Sequence, residues 1–256
     1  MPNALKTGVS AESRLLLFCG PFMCGRYTIS RPEGVPELFE VSETRLPPRF
    51  NIAPTQEAPV VRLNERTNRE LAQLRWGLVP YWSSDGTVTG RMINARSESL
   101  LDKPAFRDPF RFRRCLVPAD GFFEWATVPG QRKRQPYHFH LSNRGLFALA
   151  GLWDGWTGPD ERLETFAIIT CAPNEIVRAI HDRMPVILPR DSWEMWLSPE
   201  TPLEHCQGLL VPFPSGNMDY HRVTTAVNSP AVDDPSCVLP LEEDKGRPRK
   251  GLFDSL

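Results

Sequence analysis

The sequence predicts an α+β fold: a single domain with a curved, mainly antiparallel, barrel-like β-sheet and a few short flanking helices. Three observations support this class. Of the 256 residues, 41% are hydrophobic and 24% charged, the proportions of an ordinary globular protein. The 26 prolines, about twice the usual ~5%, favour many short elements joined by fixed turns. No internal repeat or low-complexity linker divides the middle of the chain, so one domain is expected.

Short β-branched or aromatic runs bounded by Pro, Gly or Asn predict the strands. In chain order they are Arg26–Ser30, Val60–Leu63, Ala72–Leu78, Arg114–Pro118, Gly121–Trp125, Tyr137–Leu141, Leu146–Trp153 and Thr165–Cys171. Helical patches are few, and the cap residues that precede them help to define them. They are Val35–Glu40, Asn174–Ile180 with Asn174 as N-cap, and Arg190–Leu197 with Asp191 or Ser192 at its start.

Both ends of the chain differ from its middle. Residues 1–22 are predicted to be a disordered extension or a mis-assigned start, because the apolar run within them, residues 15–19, is too short for a signal peptide. Met23 is the alternative initiator. Residues 231–256 are predicted to be a disordered tail, since an acidic run is followed there by a basic one.

Charge and cysteine content limit the possible functions. The net charge is −1 and no apolar run approaches the ~20 residues of a membrane span, so neither bulk attraction to nucleic acid nor membrane insertion is expected. The six cysteines form no CxxC pair, which predicts free thiols in a reducing, cytoplasmic compartment. Five of the 30 basic residues are Lys and 25 are Arg, which favours phosphate or carboxylate contacts. A GC-rich genome would give the same excess.

Asn94 and Arg96 alternate along a short extended segment, so their side chains point to one face. On that face they could offer an amide and a guanidinium to one ligand. The alternative is that Asn94 caps a turn and Arg96 is an ordinary surface charge.

Two titratable residues are candidates for proton transfer. Glu124 is flanked by aromatic residues, a setting that raises a carboxyl pKa towards the range of a general acid or base. A structural pairing with an arginine is the alternative. His181 precedes Asp182 and Arg183, and is either an oriented proton carrier or an exposed helix end.

Metal and nucleotide-cofactor sites have little support in the sequence. His138 and His140 alternate in a strand, but no nearby Cys, Asp or Glu completes a ligand set, so we interpret them as structural or surface residues. No glycine-rich phosphate loop is present. We therefore expect no metal and no cofactor.

An aromatic cluster lies close in sequence to a basic stripe. Residues 76–82 contain three rings beside Gly and Pro, typical of a packed corner or a base-stacking platform. Residues 91–114 carry seven basic and three acidic side chains, a local charge of +4. A positive stripe beside aromatics is typical of a groove for a single nucleic-acid strand.

Six segments, in chain order, carry a resemblance to a known family. They are Met23–Tyr27, Phe50–Pro54, Trp76–Pro80, Ile93–Glu98, Cys115–Trp125 and His181–Pro185. Together they resemble the SOS-response-associated peptidase (SRAP) family, the abasic-site processing proteins of the DNA-damage response. The resemblance extends from Met23 to about Pro230, roughly four fifths of the chain. It implies an SRAP fold over residues 23–230.

The resemblance also implies a reaction. Family members lose the initiator Met and use an N-terminal Cys to trap an abasic site in single-stranded DNA as a thiazolidine cross-link. Peptidase-like (hydrolase, protease) and lyase activities are also associated with the family. A 1,2-aminothiol suits this chemistry because its α-amine, with a pKa near ~7.7–8.0, is partly neutral at physiological pH. The expected partner is single-stranded DNA containing abasic sites, bound by a cytoplasmic monomer that joins the nucleoid on DNA.

Roles follow from the matching motifs. Cys24 would be the nucleophile, Glu124 the acid/base, His181 the residue supporting ring opening and cross-link reversal, and Asn94 the residue that holds Cys24 and the abasic sugar. The expected DNA-binding residues, including two from the basic stripe, are Arg26, Asn51, Trp76, Arg96, Arg107 and Arg183.

One feature departs from the family pattern, and two alternative functions stay open. Cys24 is preceded by 23 residues, so its α-amine is free only if translation starts at Met23, which we favour, or if the chain cleaves itself. A cysteine peptidase using Cys24 and His181 is one alternative. A non-covalent reader of damaged DNA is the other.

Overall fold

A computed structural model of the protein describes residues 24–42, 45–88, 91–130 and 132–244. Its strands are β1 Tyr27–Ile29, β2 Arg49–Ile52, β3 Glu57–Leu63, β4 Arg69–Trp76, β5 Asn94–Arg96, β6 Arg114–Ala119, β7 Gly121–Ala126, β8 Gln135–Leu141, β9 Phe147–Thr157, β10 Arg162–Cys171, β11 Met184–Pro185, β12 Ile187–Leu188 and β13 Met218–Arg222. Its α-helices are α1 Val35–Phe39, α2 Pro104–Phe112, α3 Glu175–Arg178, α4 Trp193–Leu197 and α5 Leu203–Gly208. Met23 and the predicted extension, residues 1–22, lie outside the described residues.

Five strands close into a barrel in the order β4-β3-β6-β9-β10, because β10 pairs with both β9 and β4. The β10–β4 pairing is parallel, and the other four pairings around the ring are antiparallel. β6 is buried at every position, as expected for a strand covered on both faces. Three short strands extend this sheet: β5 and β11 pair with β10, and β12 pairs with β9.

The second sheet has five strands in the order β13-β8-β7-β1-β2, all antiparallel. The two sheets share one core. Tyr27 of β1 packs edge-on against Trp76 of β4, with ring centroids 5.2 Å apart, and Trp76 stacks on Phe166 of β10. All three rings are fully buried, so these aromatic contacts fix the second sheet against the barrel.

The predicted fold class is confirmed, as are the single domain, the barrel-like sheet and the few short helices. Each predicted strand and helix has a counterpart. Asn174 caps α3 as predicted, because its Oδ1 accepts from the N–H of Val177 at 3.1 Å. The patch predicted from Arg190 to Leu197 begins as a 3₁₀ turn and becomes α-helical only at Trp193. The strands divide between two sheets, which their local patterns did not show.

The helix α2 was not predicted, and it contains two prolines, Pro104 and Pro109. Pro104 occupies the first turn, where its missing N–H costs nothing. Pro109 is five residues further along the helix, where a missing N–H removes at most one backbone hydrogen bond. The burial of Phe106 and Phe110 supplies the stabilisation that the local sequence lacks.

The predicted disordered tail is wrong for residues 231–244, which pack on the domain. Asp233 accepts backbone hydrogen bonds from β2, and Cys237 is fully buried in a small apolar cluster beside the second sheet. Asp244 forms an ion pair with Arg222 of β13 at 2.7 Å. Asp244 belongs to the acidic run that suggested a solvated segment, and it also accepts from the backbone N–H of Arg222 at 3.1 Å. Residues 245–256 lie outside the described residues.

His138 and His140 are buried on one face of the second sheet together with His221. The three ring centroids are 5.4–5.7 Å apart. Burial lowers the pKa of His140 to about 4 and those of His138 and His221 below their ordinary value. Within the described ranges, no three His, Cys, Asp or Glu side chains are arranged to hold a metal ion. No helix there is long and apolar enough to cross a membrane.

Candidate active site

The backbone of Cys24 lies between two side chains from distant parts of the sequence. Its N–H donates to Glu124 Oε1 at 2.8 Å. Its carbonyl accepts from Asn94 Nδ2 at 3.4 Å. Cys24 also has a left-handed backbone with φ 33°, an unfavourable conformation for a residue with a side chain. Both polar ends of this residue are therefore held in one orientation.

Strand pairing brings these groups together. β1 pairs with β7, so the residues just before β1 lie alongside Glu124 of β7. β5 lies parallel to β10, with Asn94 opposite Ile168. His181 lies three residues before the start of β11, which pairs with the end of β10. Cys24, Asn94, Glu124 and His181 thus converge although they are up to 157 residues apart in the sequence.

Glu124 is 1% exposed, and burial raises the pKa of its carboxyl well above the ordinary value. The hydrogen bond from the Cys24 N–H opposes this shift but does not cancel it. The carboxyl therefore keeps its proton at a pH where an exposed glutamate is ionised. The setting expected from the aromatic neighbours of Glu124 is present, and no arginine pairs with it in the described residues.

His181 faces the same carboxyl, with Nε2 3.9 Å from Glu124 Oε2. His181 Nδ1 accepts from the N–H of Arg183 at 3.1 Å and also lies 3.1 Å from Asp182 Oδ1, so the two residues that follow His181 hold its ring with Nε2 towards Glu124. Burial lowers the pKa of the imidazole. The interpretation of His181 as an oriented proton carrier agrees with this geometry.

The Cys24 thiol is neutral in this environment. Burial, and secondarily the charge of Glu124, raise its pKa well above the ordinary value. Reactive cysteines of peptidases have the opposite property, a thiolate stabilised by a nearby positive charge. Burial thus favours the uncharged form of all three groups, since it raises the pKa of the thiol and of the carboxyl and lowers that of the imidazole.

A cavity of about 760 Å³ opens beside Asn94. It is lined by Arg91, Asn94, Arg96, Glu98, Ser99, Lys103, Phe106, Asp182 and Arg183. Ala95 is buried while Arg96 is exposed and Asn94 partly so, so the predicted shared face of Asn94 and Arg96 is confirmed. Its four cationic and two acidic side chains make the cavity suited to an anion.

The basic stripe of residues 91–114 is not one surface. Arg91, Arg96 and Lys103 line the cavity. Arg114 is buried instead, and it donates to the carbonyls of Trp196, Phe110 and Ser198. Of the seven basic residues of the stripe, only these three from its first half line the cavity.

The predicted DNA-binding residues differ in their availability. Arg96 is exposed in the cavity. Arg183 forms a bidentate ion pair with Glu98, at 2.6 and 2.9 Å. Arg107 is on α2, where its Nε donates to the carbonyl of Leu101, and it does not line the cavity.

Asn51 and Trp76 are fully buried, and the structure does not bring either to the cavity. The Asn51 amide donates to backbone carbonyls of residues 227, 229 and 232. Trp76 Nε1 donates to the carbonyl of Ile93 at 2.9 Å. Their positions indicate structural roles, with Trp76 fixing the approach to β5. A direct stacking contact of Trp76 with a base would require it to leave the core.

Sequence reasoning did not single out Trp125 and Asn228. Trp125 Nε1 donates to Asn228 Oδ1 at 2.6 Å, and the carbonyl of Asn228 accepts from Arg26 Nη2 at 3.4 Å. Trp125 lies within a motif that was noted, next to Glu124. No pattern in the neighbouring sequence marks Asn228 as part of the site, because its contacts are with residues more than 100 positions away.

A family model described as SOS response associated peptidase (SRAP) matches residues 23–230. The chain is 40% identical over 223 residues to the abasic site processing protein YoqW of Bacillus subtilis, which covers 84% of this chain and 99% of that protein. It is 34% identical over 233 residues to the abasic site processing protein HMCES of Gallus gallus, covering 78% of this chain and 68% of that one. A crystal structure of a Bacteroides thetaiotaomicron protein, 26% identical, superposes with a TM-score of 0.76 over 85% of this chain and all of that one. The chain belongs to the SRAP family.

Proposed function

We propose that this protein processes abasic sites in single-stranded DNA by forming a covalent cross-link through Cys24, exposed as the N-terminal residue. The observation that carries the proposal is the position of the Cys24 nitrogen, 2.8 Å from the buried Glu124 carboxyl. In a chain that begins at Cys24, this nitrogen is an α-amine. The relatives named abasic site processing proteins support the choice of substrate.

The proposed reaction is the condensation of a 1,2-aminothiol with an aldehyde. The neutral α-amine adds to the aldehyde carbon of the ring-opened sugar and gives a carbinolamine. Protonation of its hydroxyl by Glu124 expels one water and leaves a protonated Schiff base. The Cys24 sulfur then adds to the C=N carbon while the thiol proton moves to the Glu124 carboxylate, which closes a thiazolidine ring and restores the acid. One water leaves per cross-link, and no oxidant or reductant is needed.

Glu124 is suited to both proton transfers. Its raised pKa supplies a protonated carboxyl to assist the departure of water, and the resulting carboxylate can accept the thiol proton. His181, whose Nε2 lies 3.9 Å from Glu124 Oε2, would support sugar ring opening and the reversal of the cross-link by water. Asn94 would hold Cys24 through its carbonyl.

The cavity beside Asn94 would hold the flanking phosphates. Arg96 and Lys103 present exposed cationic groups there, and Arg26 lies two residues from Cys24. Arg183 would bind a phosphate that displaces Glu98 from its guanidinium. Arg107 remains a predicted contact with DNA outside the cavity. Contacts to phosphates and an aldehyde would make binding insensitive to base sequence. All these residues come from one chain, in keeping with a monomer that joins the nucleoid on DNA.

A cysteine peptidase is a weaker candidate on the same geometry. Its thiol would have to ionise, and the raised pKa of the Cys24 thiol opposes this. A non-covalent reader of damaged DNA would need the cationic cavity but no aligned nitrogen and carboxyl. The proposed cross-linking function uses both features.

The test combines the N-terminus with adduct formation. Mass spectrometry of the purified native protein should show Cys24 as the first residue, after a start at Met23 or self-cleavage. Incubation with abasic single-stranded DNA should then give a heat-stable adduct that disappears in Cys24→Ser and persists in Cys206→Ser. Full cross-linking by a chain with an intact Met1, or by Cys24→Ser, would sink the proposal. Cleavage of a peptide substrate without an adduct would favour the peptidase.

A further inference from the structure

A short segment of chain, residues 225–233, crosses the second sheet and is here called the strap. Its attachment depends on Asn51, whose Nδ2 donates to the carbonyls of Val227, Ser229 and Val232 at 3.1, 3.0 and 2.7 Å. One buried amide thus holds three points of the strap. The backbone on both sides of Asn228 is therefore fixed.

Asp233 anchors the end of the strap to β2. Its Oδ1 accepts from the N–H groups of Phe50 and Asn51 at 2.5 and 2.9 Å, and its Oδ2 pairs with Arg49 Nε at 2.5 Å. The contacts run in both directions, since β2 donates to Asp233 and the Asn51 side chain donates to the strap. Asp233 lies beyond the residues matched by the family model, which end at 230.

Asn228 links the strap to two residues near Cys24 and Glu124. Its Oδ1 accepts from Trp125 Nε1 at 2.6 Å, and its backbone carbonyl accepts from Arg26 Nη2 at 3.4 Å. Trp125 directly follows Glu124 in β7, and Arg26 is two residues after Cys24. The indole therefore fixes Asn228, and Asn228 in turn fixes the guanidinium of Arg26.

Arg26 has a free charge in a partly buried position. Its Nη1 donates to the carbonyl of Gly25 at 3.1 Å, its buried Nε has no hydrogen-bond partner, and no carboxylate of the described residues forms an ion pair with it. Burial lowers the pKa of the guanidinium. A partly buried cation without a counter-ion is costly, so an anionic ligand would be bound strongly at this position.

We propose that Asn228 is a positioning residue, which holds the Arg26 guanidinium ready for a phosphate of the abasic strand through a relay from Trp125. This inference rests on the proposed function, because the phosphate belongs to the DNA that reaches Cys24. Asn228 itself touches neither the sugar nor the reacting atoms.

The test uses the full chain and an abasic single-stranded oligonucleotide. It measures the maximum rate of adduct formation, the DNA concentration that gives half of that rate, and the salt dependence of the latter. Asn228→Ala and Trp125→Phe should each raise the half-saturating concentration by about three- to tenfold, with little change in the maximum rate. Arg26→Ala should raise it by about tenfold or more and reduce the salt slope by about 0.7, the value for one phosphate contact on a single strand.

Double variants and the salt dependence of DNA binding distinguish a positioning role of Asn228 from general damage to the structure. Asn228→Ala should reduce the salt slope as Arg26→Ala does, and it should have no further effect once Arg26 is Ala. The double variant of Asn228→Ala with Trp125→Phe should be no worse than either single one. Asn143→Ala removes an exposed turn hydrogen bond elsewhere and is the matched control, with all three quantities unchanged.

Two outcomes would overturn the inference while leaving the proposed function intact. In one, Asn228→Ala cross-links with unchanged half-saturating concentration and salt slope. In the other, its effect adds fully to that of Arg26→Ala. Failure of the unmodified protein to form any adduct would instead refute the proposed function, so the two failures are distinguishable.

Discussion

At the scale of single residues, the Glu124 carboxyl is the group whose chemistry depends most on its surroundings. Glu124→Gln keeps the shape and a hydrogen-bond acceptor for the Cys24 nitrogen but cannot exchange a proton. Because burial keeps the native carboxyl protonated, we expect the rate of adduct formation to fall by about a hundredfold or more. Single-turnover rates at saturating DNA measure this effect.

The control for Glu124→Gln is Glu33→Gln, which changes an exposed carboxyl on the turn before α1. Its rate should equal that of the native protein. A native rate for Glu124→Gln would show that the carboxyl orients the nitrogen without transferring protons.

The burial of Glu124 could be predicted because the strand around it is apolar, a pattern contained in the local sequence. The opposite holds for Asn51. Its amide was expected to contact DNA, yet it donates to carbonyls about 180 positions further along the chain. A hydrogen bond between such distant positions leaves no pattern in the local sequence, so the strap could not be foreseen.

At the scale of elements, β5 and α2 offer a comparison of two arginines. Arg96 projects from β5 into the cavity, whereas Arg107 on α2 donates to the carbonyl of Leu101 outside it. We expect Arg96→Ala to weaken binding of single-stranded DNA and to reduce the salt slope by about 0.7. Arg107→Ala should have the smaller effect on both quantities. Equal losses in the two variants would extend the DNA path along α2.

Close packing between β7 and β8 gives a prediction about stability. A Cβ added to Gly121 would overlap the His138 ring and lie 2.9 Å from the carbonyl oxygen of Phe139. Since backbone cannot move aside cheaply, we expect Gly121→Ala to lower the free energy of unfolding by about 3 kcal/mol. Urea denaturation measures it.

Gly216 supplies the matched control for this substitution. A Cβ there would meet no atom within 4 Å. Gly216→Ala should therefore leave the unfolding free energy within about 0.5 kcal/mol of the native value. An equally small effect for Gly121→Ala would mean that the His138 ring moves aside without cost.

The strands were predictable as elements because each has its own apolar pattern between turn residues. The helix α2 was not, because its two prolines argue locally against a helix while the burial of Phe106 and Phe110 stabilises it. Packing also determined the split of the basic stripe, since the burial of Arg114 between α2 and α4 depends on which elements meet.

At the scale of the whole molecule, the three buried histidines make stability depend on pH. His138, His140 and His221 are neutral in the fold because burial lowers their pKa values, that of His140 to about 4. In the unfolded chain they titrate near ~6.5. As the pH falls below ~6.5 the unfolded state binds more protons, so the unfolding free energy decreases.

For His140 the expected loss between neutral pH and the acid limit is about 3 kcal/mol. Urea denaturation at several pH values measures it. His140→Phe should flatten the pH dependence, whereas His205→Gln, on the exposed side of α5, should leave it unchanged. A native protein equally stable at acid and neutral pH would show that the cluster takes up protons without cost.

The fold class followed from composition and patterns that extend over the whole chain, but the closure of the barrel did not. Closure depends on β10 pairing with β4 and β9 at once, and β4 and β10 are about 90 residues apart in the sequence. Long-range pairing of this kind depends on the register between strands, which no single strand encodes.

The strap also has a consequence for synthesis on the ribosome. Cys24 is among the first described residues to be made, yet the carbonyl that holds Arg26 belongs to residue 228, and the carboxylate that anchors the strap to residue 233. A growing chain therefore cannot complete this phosphate contact until almost all of it has emerged. On the proposed function, a nascent chain that lacks the strap would need a higher concentration of abasic DNA for capture than the finished molecule.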